Sequence, residues 1–129
     1  MSNDPKEQAA NAFKWIRALR RTKVKQGIGL LGDKDRGYCC LGYGCKLLHI
    51  PYAYQAMFSE DFRAAVGLRT VNGKAPMAPL ESLTRLNDVR GHTFKQIGDH
   101  LLAHTDEYFE YEVAKNITRI VKSLDKPRK

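Results

Sequence analysis

Two adjacent thiols, Cys39 and Cys40, are the residues of this chain best suited to covalent chemistry. They sit where a glycine-rich turn feeds a helical pattern, so unpaired backbone N–H groups at the helix start would favour a thiolate. His49 or His92 would then serve as base and Asn87 or Asp88 would orient it, as in a Cys-His-Asn/Asp hydrolase or transferase. Against this, Cys40 falls on the apolar face of its helix, where cysteine behaves as a small core residue. No family-specific catalytic signature surrounds either thiol. Pairs of metal-ligating side chains at i, i+4 spacing occur as Cys45 with His49 and as His100 with His104. A closed zinc site needs a full tetrahedral set, and the chain has no Cys-x-x-Cys economy. Neither a metal nor a cofactor is expected.

A second constellation is suited to holding an anion. Thr93-Phe94-Lys95-Gln96 reads as a capping box, so Thr93 opens a helix whose N–H groups attract negative charge, with Arg90 and His92 beside it. Asn87 and Asp88 would offer donors and acceptors to a base or ribose edge, and Tyr38 a ring for stacking. The expected ligand-binding set is Arg36, Tyr38, Asn87, Asp88, Arg90 and Thr93, on one concave surface shared by two loops. The plainer alternative is that Asn87-Asp88 ends one helix and Thr93 caps the next.

The formal net charge of +8 is uneven: Met1 to Lys46 hold ten Lys/Arg against four Asp/Glu. Such a basic third concentrates polyanions near it without selecting among them. Arg17, Arg20, Arg21, Lys23 and Lys25 are the candidate nucleic-acid contacts. The segment Leu83 to His104 offers a helix-turn-helix pattern, opposed by Asp106, Glu107, Glu110 and Glu112 at the start of the following helix.

The elements that must position these residues follow from caps and periodicity. Asp4-Pro5-Lys6-Glu7 opens a helix running to about Arg21, with Ala9, Ala12, Phe13, Ile16 and Leu19 on its apolar side. Turn residues from Gly32 to Gly37 predict a small hairpin between Leu30-Leu31 and Tyr38. Cys40, Leu41, Gly44, Leu47 and Leu48 space a helix ending near His49, before Pro51. Ser59 caps a short helix stopped by Gly67. Val71-Asn72-Gly73-Lys74 predicts a second hairpin through a type I′ turn, with brief strands because Pro76 and Pro79 follow. Leu80 to Asp88, Thr93 to Leu102 and Phe109 to Leu124 complete the helical segments.

Arg36-Gly37-Tyr38-Cys39-Cys40-Leu41-Gly42 with Cys45, and Leu83-Thr84-Arg85-Leu86-Asn87-Asp88 followed by Thr93-Phe94-Lys95-Gln96-Ile97, together resemble a family of small bacteriophage and prophage proteins without an assigned activity. The resemblance covers roughly Leu19 to Leu102. The chain departs from that pattern at Gly98, where the family more often carries alanine, and in its long helix after His104. The resemblance implies a small accessory protein of the kind that interferes with host defence, by occupying a host protein or sequestering a nucleotide signal.

With 129 residues, the chain reads as an α+β, mainly helical domain of about five helices and one or two short β-hairpins. The single domain is expected over residues 1–124, followed by a frayed basic tail over 125–129. No apolar run approaches the ~18 residues of a membrane span, the N-terminus lacks a signal-peptide pattern, and an odd number of cysteines suits a reducing compartment. A cytoplasmic protein, within the host cell if phage-encoded, is therefore expected. The expected function is non-catalytic binding of an anionic partner, either a nucleotide-like small molecule or an acidic host protein surface. The alternatives are a DNA- or RNA-binding regulator and a cysteine-dependent enzyme. The apolar face of the last helix leaves room for self-association.

Overall fold

The computed structural model describes residues 4–53, 56–74 and 82–124, so the basic tail and the Pro76–Pro79 region lie outside the described residues. Helix α1 spans Pro5–Leu19; Asp4 caps it by accepting from the Lys6 N–H, and proline occupies the first turn. Trp15, Ile16 and Leu19 are buried on its inner side. α1 is the central element: α2 (Cys40–Leu47), α3 (Glu60–Val66), α5 (Phe94–Ala103) and α7 (Tyr111–Leu124) all pack against it. Two further short helices, α4 (Leu83–Asp88) and α6 (Thr105–Tyr108), complete the described set. The fold is thus α+β and mainly helical, with seven described helices where about five were expected.

The predicted hairpin at Gly32 to Gly37 is present, shifted by one or two residues. β1 (Gly32–Asp33) pairs antiparallel with β2 (Gly37–Tyr38), and Asp33 Oδ1 accepts the N–H groups of Asp35 and Arg36 within the turn. Tyr38 is also bridged in parallel to Gln26, its N–H donating to the Lys25 carbonyl and its carbonyl accepting from Gly27. This third segment was not anticipated, and it matters for the site.

Helix α2 ends in a Schellman motif. Ile50 N–H donates to Cys45 O and His49 N–H to Lys46 O, which places His49 at φ 57°, the left-handed position usually given to glycine. Cys45 is buried and His49 exposed beyond the helix end, so their i, i+4 spacing does not make a metal pair.

The Asn72-Gly73 hairpin is not formed. Gly73 N–H donates to Thr70 O, so the turn centres on Val71 and Asn72, and among the described residues His49 is the one non-glycine at positive φ. A type I′ turn would need Asn72 there too. Gly73 follows at φ 73° and receives the Leu83 N–H on its carbonyl, which starts α4 through the Ser82 cap.

The last predicted helix, placed over Phe109 to Leu124, begins two residues later, at Tyr111. α6 closes at Tyr108, Phe109 is extended and bridges Leu68, and Glu110 N–H donates to Gly67 O. α7 then runs beside α1 in the same sense: its start neighbours Pro5 and Gln8, and its end neighbours Phe13 to Arg21. Val113, Ala114 and Ile117 are buried, and Ile120 and Val121 pack against the same core. The apolar face that could have served a second copy is therefore used within the chain. None of the described helices is long and apolar enough to cross a membrane.

Candidate functional site

The loop carrying Arg36 to Tyr38 and the turn carrying Asn87 to Thr93 do come together, because the Gln26-Gly27 segment lies between them and bonds to both. Gln26 Nε2 donates to Asn87 Oδ1 at 2.8 Å and to the His92 carbonyl at 2.7 Å, while its Oε1 accepts the Phe94 N–H at 3.1 Å. Asn87 Oδ1 also accepts the buried Cys40 N–H at 3.2 Å, and Asn87 Nδ2 donates to Gly27 O at 2.9 Å and to Asp88 Oδ1 at 2.7 Å. An amide offers two lone pairs and two N–H groups, and all of them are used. Asn87 is 2 % exposed and has nothing left for a base or ribose edge.

The start of α5 is consumed in the same way. Thr93 N–H donates to Gln96 Oε1, Gln96 N–H to Thr93 Oγ1 and Phe94 N–H to Gln26, so these three donors are satisfied by the chain itself. Tyr38 is buried and offers no face for stacking. Arg36, Arg90 and Thr93 are exposed and Asp88 half-buried around this closed network. The two loops meet through the Gln26 segment, but Asn87, Tyr38 and Thr93 act there as structure: they lock α2, α4, α5 and that segment together. Gln26, the centre of the network, carried no sequence signal, since a lone glutamine in a short connection has no period or motif.

The thiols are also structural. Cys39 caps α2, its Sγ accepting the Gly42 N–H at 3.4 Å, and the N–H groups of Gly42 and Leu41 pull its pKa down as anticipated. Burial outweighs them and pushes it up to about 11. Cys40, fully buried, is raised well above the usual thiol value by burial and then by its neighbour Cys39. Burial likewise lifts Cys45 to about 11. All three are unpaired, buried and protonated near neutral pH, the opposite of an activated nucleophile. The His100 and His104 rings lie tilted against each other with centroids 4.6 Å apart, and His100 Nε2 shares a hydrogen bond with Tyr108 Oη at 2.7 Å. Among the described residues, no group of three or more His, Cys, Asp or Glu is placed to hold a metal.

A different place collects the candidate cations. Arg17, Arg20 and Arg21, spaced to share one side of α1's end, border a surface hollow of about 300 Å³ together with Lys95 from α5. Its apolar lining is Phe13, Ile16, Leu102 and Leu124. Gly98 makes this approach possible, since a Cβ there would lie 2.7 Å from Arg20 Cγ and 3.1 Å from the Ile16 carbonyl. Asp99 is the carboxylate facing the group: it accepts from Arg20 Nε at 2.7 Å and Lys95 Nζ at 3.0 Å. Lys95, and behind it Arg20, hold the Asp99 carboxyl below the usual carboxylate range. Arg17 and Arg21 have no carboxylate partner among the described residues. Lys23 and Lys25 continue the basic edge, Lys25 Nζ donating to the Asp35 carbonyl.

No protein-family model, curated protein or solved structure matches this chain. Its chemistry must therefore be argued from these side chains.

Lys95, Phe13, Leu102 and Leu124 were not anticipated in the site. Phe13 lies one turn before Arg17 on α1 and was legible as its neighbour. Lys95 and Leu102 enter only through the close packing of α5 on α1, which depends on a single missing methyl group at Gly98.

Proposed function

We propose that this chain is a non-catalytic binding protein, of the small phage-accessory type its motifs resemble, whose basic end takes an anionic partner. The observation that carries this reading is the convergence of Arg17, Arg20, Arg21 and Lys95 on one hollow, with the Asp99 carboxylate paired to Arg20 and Lys95. Like charges held together on a folded surface repel one another, and an anion relieves that repulsion on binding. The buried, protonated thiols and the fully bonded Asn87 support binding over covalent catalysis.

Lys23, Lys25, Lys34 and Arg36 are further exposed cations in the segment after α1, which favours a nucleic-acid backbone as the second reading. The helix-turn-helix form of that reading has little support. α5 turns Phe94, Ile97, Gly98 and Leu101 inward, and its outward side includes the Asp99 carboxylate.

Titration calorimetry with pyrophosphate, ATP, a short single-stranded oligonucleotide and a polyglutamate peptide tests both readings. Binding of a small anion, lost in the Arg17→Glu/Arg21→Glu double variant and only mildly weakened by salt, is the expected result. An oligonucleotide that binds best of all, and loses about 10³-fold in affinity between 50 and 200 mM salt, would establish the second reading instead. If the double variant binds every probe as the parent does, the basic end is not the site.

A further inference from the structure

The described lining of the hollow contains side chains of two kinds only, cationic and hydrocarbon. No asparagine, glutamine, serine, threonine or histidine is among them. A nucleobase or a sugar carries N–H or O–H donors as well as acceptors, and lining side chains that are cationic or hydrocarbon offer no acceptor to those donors. A hydrocarbon body suffers no such loss and gains by leaving water. Leu124 is 62 % exposed at the edge of the hollow and Phe13 is half-buried, so apolar surface is available beside the charges. Along α1 the two kinds follow in order, Phe13 first, then Arg17 a turn later and Arg21 after it.

Resting on the reading of this basic end as the binding site, we propose that its ligand is an amphipathic anion: a phosphate or carboxylate head carrying a short hydrocarbon body. The head sits against Arg17 and Arg21, whose guanidinium groups have no carboxylate partner among the described residues and present paired N–H donors to two oxygens at once. The body lies over Phe13, Leu102 and Leu124. The volume of about 300 Å³ is at the small end for a ligand site, which suits a short chain over a long one. Such a head and chain could come from a free amphiphile or from an anionic lipid at a bilayer surface.

Octyl phosphate, inorganic phosphate and adenosine monophosphate, titrated below the micelle-forming range, separate the possibilities. Octyl phosphate should bind at least about tenfold tighter than inorganic phosphate, the gain expected for burying one leucine-sized apolar group. Adenosine monophosphate should gain far less. Leu124→Ser, at an exposed position, should bring octyl phosphate down to the affinity that inorganic phosphate has for the same variant. Sedimentation with phosphatidylglycerol vesicles reports the source: uptake abolished by Leu124→Ser supports a bilayer lipid, and no uptake alongside tight octyl phosphate binding supports a free amphiphile. Vesicle uptake indifferent to Leu124→Ser, or octyl phosphate binding no tighter than phosphate, overturns the proposal. If pyrophosphate still binds in that case, the anion-binding reading stands without it; if no anion or amphiphile binds, both fall.

Discussion

At the scale of single residues, the side chains that looked most chemical are those that hold the fold together. Asn87 was legible as a polar residue at the end of a helix, and its sequence gave equal weight to a ligand contact. The structure decides through bonding capacity, because every donor and acceptor of the amide already has a protein partner. Asn87→Ala would leave the Cys40 N–H and the Gly27 carbonyl without their partner, and each such buried group costs roughly 1–3 kcal/mol. A loss of about 2–4 kcal/mol in urea denaturation is expected. A loss below about 0.5 kcal/mol, with anion binding abolished, would restore Asn87 to the ligand-binding role. The cysteines show the same lesson in another currency. Cys39 sits at a helix start, as read, but burial raises its pKa more than the helix lowers it. Sequence spacing locates a helix terminus; it does not report how much solvent reaches it.

At the scale of elements, helices with local signals were legible and the bounds of the others were not. α1, α3 and α5 begin at side-chain caps visible in the sequence, Asp4, Ser59 and Thr93, whereas the Cys39 cap of α2 was not. The start of the last helix was placed at Phe109, two residues early, because Phe109 is buried as the apolar stripe requires even though it is extended and paired with Leu68. A four-residue spacing reads identically within a helix and from an extended residue just before one. Asn72-Gly73 failed for the complementary reason: its local preference for a hairpin had no facing strand to use among the described residues, and Thr70 closed a different turn. Packing between elements is equally hidden, and Gly42 on α2 measures it. An added Cβ would stand 1.8 Å from the Leu31 carbonyl oxygen, which is backbone and cannot rotate away. Gly42→Ala should therefore destabilise by more than the ~1–3 kcal/mol of ordinary overpacking, despite alanine's better helix propensity. Unchanged thermal unfolding in this variant would mean that Leu31 does not lie on α2 as described.

At the scale of the whole molecule, charge is sorted along α1. Glu60, Glu110 and Glu112 gather near its start, where Arg63 pairs with Glu60 and Glu110, and Arg17 to Lys25 gather at its end. The basic third was legible from composition, whereas its convergence with Lys95 depends on how α5 crosses α1 at Gly98. A cluster of cations kept for a ligand should weaken the unliganded fold, and this distinguishes it from one kept for stability. Arg17→Gln/Arg21→Gln removes two cations that have no carboxylate partner among the described residues while retaining much of their hydrocarbon stems. At low ionic strength the double variant should unfold at higher denaturant concentration than the parent, by about 0.3–1 kcal/mol, and the difference should shrink as salt screens the repulsion. Sulfate or phosphate should stabilise the parent more than chloride at equal ionic strength, and the double variant should lose that preference. A double variant that is instead less stable than the parent at every salt concentration would place Arg17 and Arg21 in the packing of α1 against α7, and the hollow would lose its claim to be held open for an anion.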